Sequence, residues 1–209
     1  MLVDMKVTAF LDELKSDSPA PGGGSISALA GALGAGLSMM VSGLTEGNAK
    51  YESAQSELVL LKPQLEGCIQ RLTTCVDEDT AMFNKVMDAY RLPKSTDEEK
   101  AQRSAAIQLA LKGAAELPLE VANLCKNVLV LSKRMLQIGN TNAASDAAVA
   151  GQMAHAGMWG AIYNVRINLG TIKDTVFVED MKCKVANILA EADVAMQEML
   201  AEVESKIGC

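Results

Sequence analysis

The sequence predicts an all-α fold, a single-domain helical bundle built around a buried central helix rich in glycine and alanine. Apolar residues recur at three- and four-residue spacing through most of the chain, which is typical of amphipathic helices. No segment alternates polar and apolar residues convincingly, as a half-buried strand does, and aromatic residues make up only 3% of the chain. With 209 residues and 49% hydrophobic content, the chain can bury a sizeable core, and we expect one domain over residues 1–209.

Composition excludes several partners. A net charge of −7 argues against binding to nucleic acid or to an anionic membrane surface, and an anionic small molecule would need a local basic pocket. The five cysteines are odd in number and show neither a CxxC pair nor zinc-ligand spacing, which favours reduced thiols in a cytoplasmic protein. The opening "MLVDMKVTAF" has no basic region followed by an apolar stretch, so no signal peptide is expected.

The first two predicted helices flank a loop of unusual composition. Residues 7–14 form a short amphipathic pattern, and the loop "SDSPAPGGGS" separates it from residues 26–44, which carry no charge. That uncharged stretch is long enough to span a bilayer. Its four glycines and the lack of flanking basic or aromatic belts instead favour a central buried helix, with Ile26, Leu29 and Leu33 on one side and Ala28 and Ala32 on another.

The middle of the chain predicts two or three further helices. An apolar stripe runs from Leu58 to Val76, with Pro63 at a kink or a first turn. The pattern breaks near Pro93, and the capping box of residues 96–99 starts the next helix. We expect Pro118 to interrupt that helix before a new stripe over residues 121–135.

Two long helices complete the predicted bundle. The loop "IGNTNAASD" precedes a helix over residues 145–169, which Gly170 ends. The last helix carries a seven-position apolar seam between Met181 and Val203.

One carboxylate falls on the apolar stripe of the helix that contains "RLTTCVDEDTAMFNKVM". The stripe advances in steps of four, three, four and three through Leu72, Val76, Asp79, Phe83 and Val86. The neighbouring acids, Asp77 and Glu78, are expected to point toward solvent. A buried carboxylate must be paired or have a raised pKa, so Asp79 has either a structural partner or a role in proton transfer.

Further polar residues stand in apolar surroundings on the late helix. Asn164 and Asn168 are one turn apart in "YNVRINL", and buried amides need hydrogen-bond partners, from another helix or a polar ligand. Asp146 shares their face about five turns earlier, where a first-turn acid stabilised by the helix dipole is the simpler interpretation.

The glycine loop and nearby basic residues could bind anions. Consecutive glycines before a helix expose backbone N–H groups, which suits a carboxylate or phosphate, although simple entry into a tightly packed helix explains them equally well. Arg91 and Lys94 in "RLPK", and Lys133 and Arg134 before the asparagine-rich loop, could form a local basic patch or be solvated surface charges.

Taken together, five segments resemble the C-terminal family of the formiminotransferase-cyclodeaminases: "SPAPGGGSISALAGALGAGL", "CVDEDTAMF", "RLPKSTDEEK", "GNTNAASD" and "YNVRINL". The resemblance covers essentially the whole chain in the same order. It implies an all-helical homodimer with folate in a cleft near the subunit interface, and it identifies Asp79 with the family's proton-transferring aspartate. It also implies that the following residues line the site: Gly22, Gly23, Gly24, Ser25, Asp146, Asn164 and Asn168.

The resemblance implies a methenyltetrahydrofolate cyclohydrolase, which opens the 5,10-methenyl bridge with water to give 10-formyltetrahydrofolate. A formimidoyltetrahydrofolate cyclodeaminase is the alternative, although the chain has no room for the formiminotransferase domain of the bifunctional members. A non-catalytic folate-binding or scaffold dimer is the alternative from another class. We expect no metal and no cofactor beyond the tetrahydrofolate substrate. Small-residue stripes and the apolar seam of the last helix also favour a homodimer, the stripes being Ala28, Ala32 and Gly36, and Ala150, Ala154 and Gly157.

Overall fold

The structure, a computed structural model, describes residues 1–208. Six helices make up the fold: α1 (Val7–Leu14), α2 (Gly23–Thr45), α3 (Gln55–Arg91), α4 (Asp97–Ile138), α5 (Ala144–Leu169) and α6 (Thr175–Ile207). Short 3-10 turns occupy Leu2–Asp4, Ala49–Ala54 and Thr141–Ala143, and residues 1–208 contain no strand. The all-α prediction is confirmed.

Helix α2 lies in the middle of the bundle, in contact with α3, α4 and α5. Small residues permit this close approach. A Cβ added at Gly34 would lie 2.6 Å from the carbonyl oxygen of Ala150, and one added at Gly157 would lie 2.7 Å from that of Ser27. By length and composition α2 could cross a membrane, yet 50% of its most apolar window is buried inside the bundle. The predicted central helix rich in glycine and alanine is confirmed.

A buried helix usually turns its large apolar side chains inward. Helix α2 instead buries small residues and exposes several of its large apolar side chains. Leu33, Met40 and Leu44 are 52%, 42% and 51% exposed, whereas Ala28 and Ala35 are fully buried. The bundle covers the small face because only small residues allow three helices to approach α2 so closely. Leu33, Met40 and Leu44 are left open, although Val41 is fully buried and Gly36 is exposed.

Two of the sequence features that favoured a dimer are therefore covered within one protomer. Ala150, Ala154 and Gly157 face α2 of the same chain, so that stripe is used within the protomer. The seam of α6 is likewise covered by its own chain, with Met181 and Met199 each 1% exposed. The open surface lies instead on the large apolar side of α2.

The predicted interruption at Pro118 is wrong, because α4 continues unbroken from Asp97 to Ile138. Proline lacks the N–H that would bond the carbonyl four residues earlier, which here belongs to Ala114. Asn168 of α5 supplies the missing donor, with its Nδ2 2.7 Å from the Ala114 oxygen. Pro63 likewise lies inside α3 without ending it.

Helices α2 and α3 are antiparallel and have very different lengths. The start of α2 meets the middle of α3, where the Ser25 N–H donates to Asp79, and α3 then continues for twelve residues to Arg91, about 18 Å. After the turn near Pro93, the predicted capping box of Thr96 starts α4 and is confirmed. Beyond the first residue of α2, a space therefore remains between α3, α4 and α5.

Candidate active site

A cleft of about 370 Å³ occupies this space. It brings together six of the predicted site residues, which are Gly22, Gly23, Gly24, Asp79, Asn164 and Asn168. Asp79 is the single charged residue that lines it. The remaining walls are formed by Pro19, Ala20, Thr80, Met82, Phe83, Val86, Ala114, Leu117 and Pro118.

The Asp79 carboxylate is held at the N-terminus of α2. Its Oδ2 accepts a hydrogen bond from the backbone N–H of Ser25 at 2.9 Å and lies 3.2 Å from the Ser25 hydroxyl. The dipole of α2 adds favourable charge at this position. Among residues 1–208, no side chain or backbone group donates to Oδ1, so this oxygen is available to a ligand in the cleft.

Burial raises the pKa of Asp79 above its ordinary value, and the two Ser25 hydrogen bonds oppose this by stabilising the ionised form. A raised pKa lies closer to neutral pH, and a carboxyl group with such a pKa can both accept and return a proton. The predicted anomaly on the α3 stripe is thus a half-buried carboxylate with one oxygen anchored and the other free.

The close approach of Asp79 explains one of the three consecutive glycines. A Cβ at Gly24 would lie 2.1 Å from Oδ1 and 2.5 Å from Cγ of Asp79, so any side chain at this position would force the carboxylate to move. At Gly23 the added carbon would meet Asn164 Nδ2 at 3.4 Å, and at Gly22 only the carbonyl oxygen of Pro19 at 3.8 Å. The helix start thus accommodates the protein's own carboxylate.

Ser25 does not line the cleft. The residue is fully buried, and its hydroxyl donates to the carbonyl oxygen of Val76 at 2.8 Å as well as approaching Asp79. Its hydrogen bonds position the carboxylate from behind.

The two asparagines are oriented by their own hydrogen bonds. Asn168 Nδ2 donates to the carbonyl oxygen of Ala114, and Asn164 Nδ2 donates to that of Gly160 at 2.8 Å. A carbonyl oxygen can only accept, so the amide nitrogen must face it in each case. Each side-chain oxygen is then left free to accept a hydrogen bond from a ligand.

Besides Ser25, three predicted site residues lie outside the cleft lining. Arg91 is exposed and pairs with Asp88 at 3.0 Å, and Lys94 is exposed on the turn between α3 and α4. Asp146 lies in the first turn of α5, at the opposite end of that helix from Asn164. Their roles in substrate binding stay predictions.

Sequence reasoning missed most of the apolar wall. Phe83 and Val86 belong to the stripe that contains Asp79, and they line the cleft because α2 begins beside Asp79 and leaves them uncovered. Pro118 also lines the cleft, whereas the sequence predicts only an interruption of the helix at this residue. Asp77 was expected to face solvent, but it is half-buried and accepts a hydrogen bond from the Leu2 N–H at 2.6 Å.

Comparison with known proteins gives consistent matches. The model of the family described as formiminotransferase-cyclodeaminase matches residues 6–187. A methenyltetrahydrofolate cyclohydrolase of Methylorubrum extorquens is 40% identical over 202 residues, which cover 97% of each chain. A formimidoyltransferase-cyclodeaminase of Rattus norvegicus is 34% identical over 98% of this chain, which spans only 38% of that relative. The crystal structure of a formiminotetrahydrofolate cyclodeaminase from Thermotoga maritima superposes with a TM-score of 0.88 at 28% identity, covering 99% of this chain and all of that one.

Proposed function

Because this chain belongs to the formiminotransferase-cyclodeaminase family, we propose that it is a methenyltetrahydrofolate cyclohydrolase, which converts 5,10-methenyltetrahydrofolate and water to 10-formyltetrahydrofolate. The relatives on both branches of the family are named as enzymes of folate chemistry, which supports an enzyme over a non-catalytic scaffold. The stand-alone relative from Methylorubrum extorquens matches over nearly its full length, and this favours the cyclohydrolase branch.

The observation that carries the proposal is the lone carboxylate of the cleft. The methenyl bridge between N5 and N10 is a delocalised cation, and a half-buried carboxylate stabilises a positive charge more strongly than one in water does. Asp79 is the only ionisable group in the lining, so the cleft favours a cationic centre over an anionic one. Its free oxygen, Oδ1, is the atom that would face the bridge.

Asp79 can move the protons that hydrolysis requires. As the water oxygen bonds to the bridge carbon, Asp79 accepts a proton from that water and leaves a hydroxyl adduct. The bond between the bridge carbon and N5 then breaks, Asp79 returns the proton to N5, and the adduct hydroxyl loses its proton to solvent as the formyl group forms. Such general acid–base catalysis typically contributes about 10²–10⁴-fold to the rate.

The asparagines are suited to orient the folate. With their nitrogens committed to Ala114 and Gly160, Asn168 and Asn164 present acceptor oxygens. The pteridine ring of a tetrahydrofolate carries several N–H donors, which these oxygens would pair with. Met82, Phe83 and Leu117 add apolar surface for the ring.

The alternative reaction uses the same arrangement. In a cyclodeaminase, N10 attacks the formimino carbon, that carbon loses ammonia, and the bridge forms. A protonated formimino group is also a cation, so the lone carboxylate accommodates both substrates.

The two reactions are separated by substrate. We expect purified protein to consume 5,10-methenyltetrahydrofolate faster than its spontaneous hydrolysis, followed by its absorbance, and to release no ammonia from 5-formiminotetrahydrofolate. Asp79→Asn should lower kcat about 10²–10⁴-fold. Glu66→Gln, on the exposed side of α3, is the matched control and should keep full activity. Ammonia release with no cyclohydrolase activity would instead assign the cyclodeaminase reaction, and a folded Asp79→Asn protein with wild-type turnover would remove Asp79 from the chemistry.

A homodimer is part of the proposal. The large apolar face of α2, with Leu33, Met40 and Leu44 exposed by 42% or more, is the kind of surface that a second copy covers. Val149 of α5 is also 50% exposed. A two-fold symmetric pair would bury this self-complementary surface.

We further propose that the protein is cytoplasmic and needs no metal. Cys68, Cys75, Cys125 and Cys183 carry free thiols, which is typical of reducing compartments. Among residues 1–208, no three histidine, cysteine, aspartate or glutamate side chains are grouped as metal ligands. The bridge carbon is already electrophilic, so activity should survive treatment with a chelator; loss of activity that zinc or magnesium restores would contradict this.

A further inference from the structure

The cleft lining contains no lysine or arginine, so it offers no counter-ion for the carboxylates of the glutamate part of a folate. We propose, on the basis of the proposed function, that the aminobenzoylglutamate part of the substrate binds along an exposed stripe of α3 and that Arg103 of α4 binds its carboxylate. The exposed stripe consists of Phe83, Met87 and Tyr90.

The exposed stripe continues the face that carries Asp79. Its residues follow Asp79 at four, eight and eleven positions, which places all three within about 80° of Asp79 around the helix. Phe83 lines the cleft, so the stripe begins where the cleft ends. The three side chains are 37%, 36% and 43% exposed, because α2 begins beside Asp79 and covers none of α3 beyond it.

The length of the stripe suits this part of the substrate. Met87 and Tyr90 lie about 12 and 16 Å along the helix axis from Asp79. In an extended folate, the bridge carbon and the first glutamate carboxylate are about 10 Å apart, from standard bond lengths. A bridge held at Asp79 therefore places the aminobenzoyl ring beside Phe83 and the first carboxylate close to Met87. The second carboxylate of glutamate, about 4 Å further along, falls between Met87 and Tyr90.

Arg103 is fixed at the far end of the stripe. Its guanidinium carbon lies 5.6 Å from the centre of the Tyr90 ring, and its Nε and Nη2 donate to the Tyr90 carbonyl oxygen at 3.1 and 2.9 Å. These bonds hold the cation without neutralising it, since Arg103 forms no ion pair within residues 1–208. Its Nη1 remains to donate to a carboxylate, and such charge-assisted bonds are the stronger kind. Arg91, by contrast, is already paired with Asp88.

A pair of substrates tests this assignment. 5,10-Methenyltetrahydrofolate and the corresponding tetrahydropteroate share the reacting centre and the aminobenzoyl ring, but only the first carries glutamate. We expect Arg103→Gln, which keeps a donor for the Tyr90 carbonyl, to raise KM for the folate about tenfold or more, with kcat little changed. For the pteroate, KM should stay at the wild-type value. Lys100→Ala, one turn earlier on α4 in an exposed pair with Asp97, is the control and should change neither.

The outcomes are distinct. An equal KM increase for both substrates, or no increase for either, would overturn the role of Arg103. If wild-type protein turned over neither substrate, the proposed function would fail. Direct binding of aminobenzoylglutamate, measured by calorimetry, would then still test the stripe, because only protein with Arg103 intact should bind it.

Discussion

Replacing Gly24 by alanine is the most stringent test of how the structure positions Asp79. The new methyl group would lie 2.1 Å from Oδ1, and a real contact needs at least 3.0 Å, so the carboxylate must move by at least 0.9 Å. Misplacement of a reacting group by about 1 Å can lower the rate about 10²-fold. The displaced carboxylate would also weaken its 2.9 Å hydrogen bond to the Ser25 N–H.

We therefore expect Gly24→Ala to lower kcat about 10²-fold while the helix itself is slightly favoured, since alanine is a better helix former than glycine by about 0.5–1 kcal/mol. The neighbouring Gly23→Ala makes only an ordinary contact at 3.4 Å and should keep kcat within a few-fold of wild type. Gly67→Ala, on the open side of α3, controls for the gain in helix propensity. The assay is the steady-state decay of methenyltetrahydrofolate absorbance, with circular dichroism to confirm folding. A folded Gly24→Ala protein with wild-type kcat would refute the proposed link between the glycine and the carboxylate.

Three further predictions concern pH, stability and assembly. The Ser25 N–H and, to a smaller extent, the Ser25 hydroxyl lower the pKa of Asp79. Ser25→Ala removes only the hydroxyl, so it should raise that pKa and move the acid limb of kcat/KM to higher pH, because the ionised form is the base; a pH profile that stays in place would contradict this. Thr96→Ala removes the capping box of α4 and should lower the free energy of unfolding by about 1 kcal/mol, which calorimetry should show as a fall in Tm of about 2–4 °C. An unchanged Tm would show that the cap contributes nothing to stability. Leu33→Asp places a charge on the open face of α2 and should convert a dimer to monomers in light scattering, so a stable dimer of this variant would place the interface elsewhere.

Periodicity predicted much of the bundle because it depends on local spacing. The bounds of α1 and α5 agree with those expected, and Asp79 stood out since a carboxylate on an apolar stripe is unusual whatever the tertiary structure. Asn164 and Asn168 were found by the same reasoning.

The remaining features depend on which helix lies beside which. Nothing in the spacing of α2 shows that its small residues, such as Ala28, face the core and that Leu33 faces outward, because both faces are apolar. The need for glycine at position 24 depends on a carboxylate 55 residues later in the chain. Arg103 is one of several surface cations in the sequence, and only its contact with Tyr90 distinguishes it.

The proline in α4 links the stability of a helix to the recognition of a ligand. Pro118 leaves the Ala114 carbonyl without its helical donor, and Asn168 is held in one orientation because it bonds that carbonyl. Pro118→Ala, a change that would ordinarily strengthen a helix, would return the carbonyl to its own helix and leave the Asn168 amide free to turn over. A selection for thermal stability alone would thus favour losing the proline and, with it, a fixed acceptor in the cleft wall, so robustness and activity compete at this position.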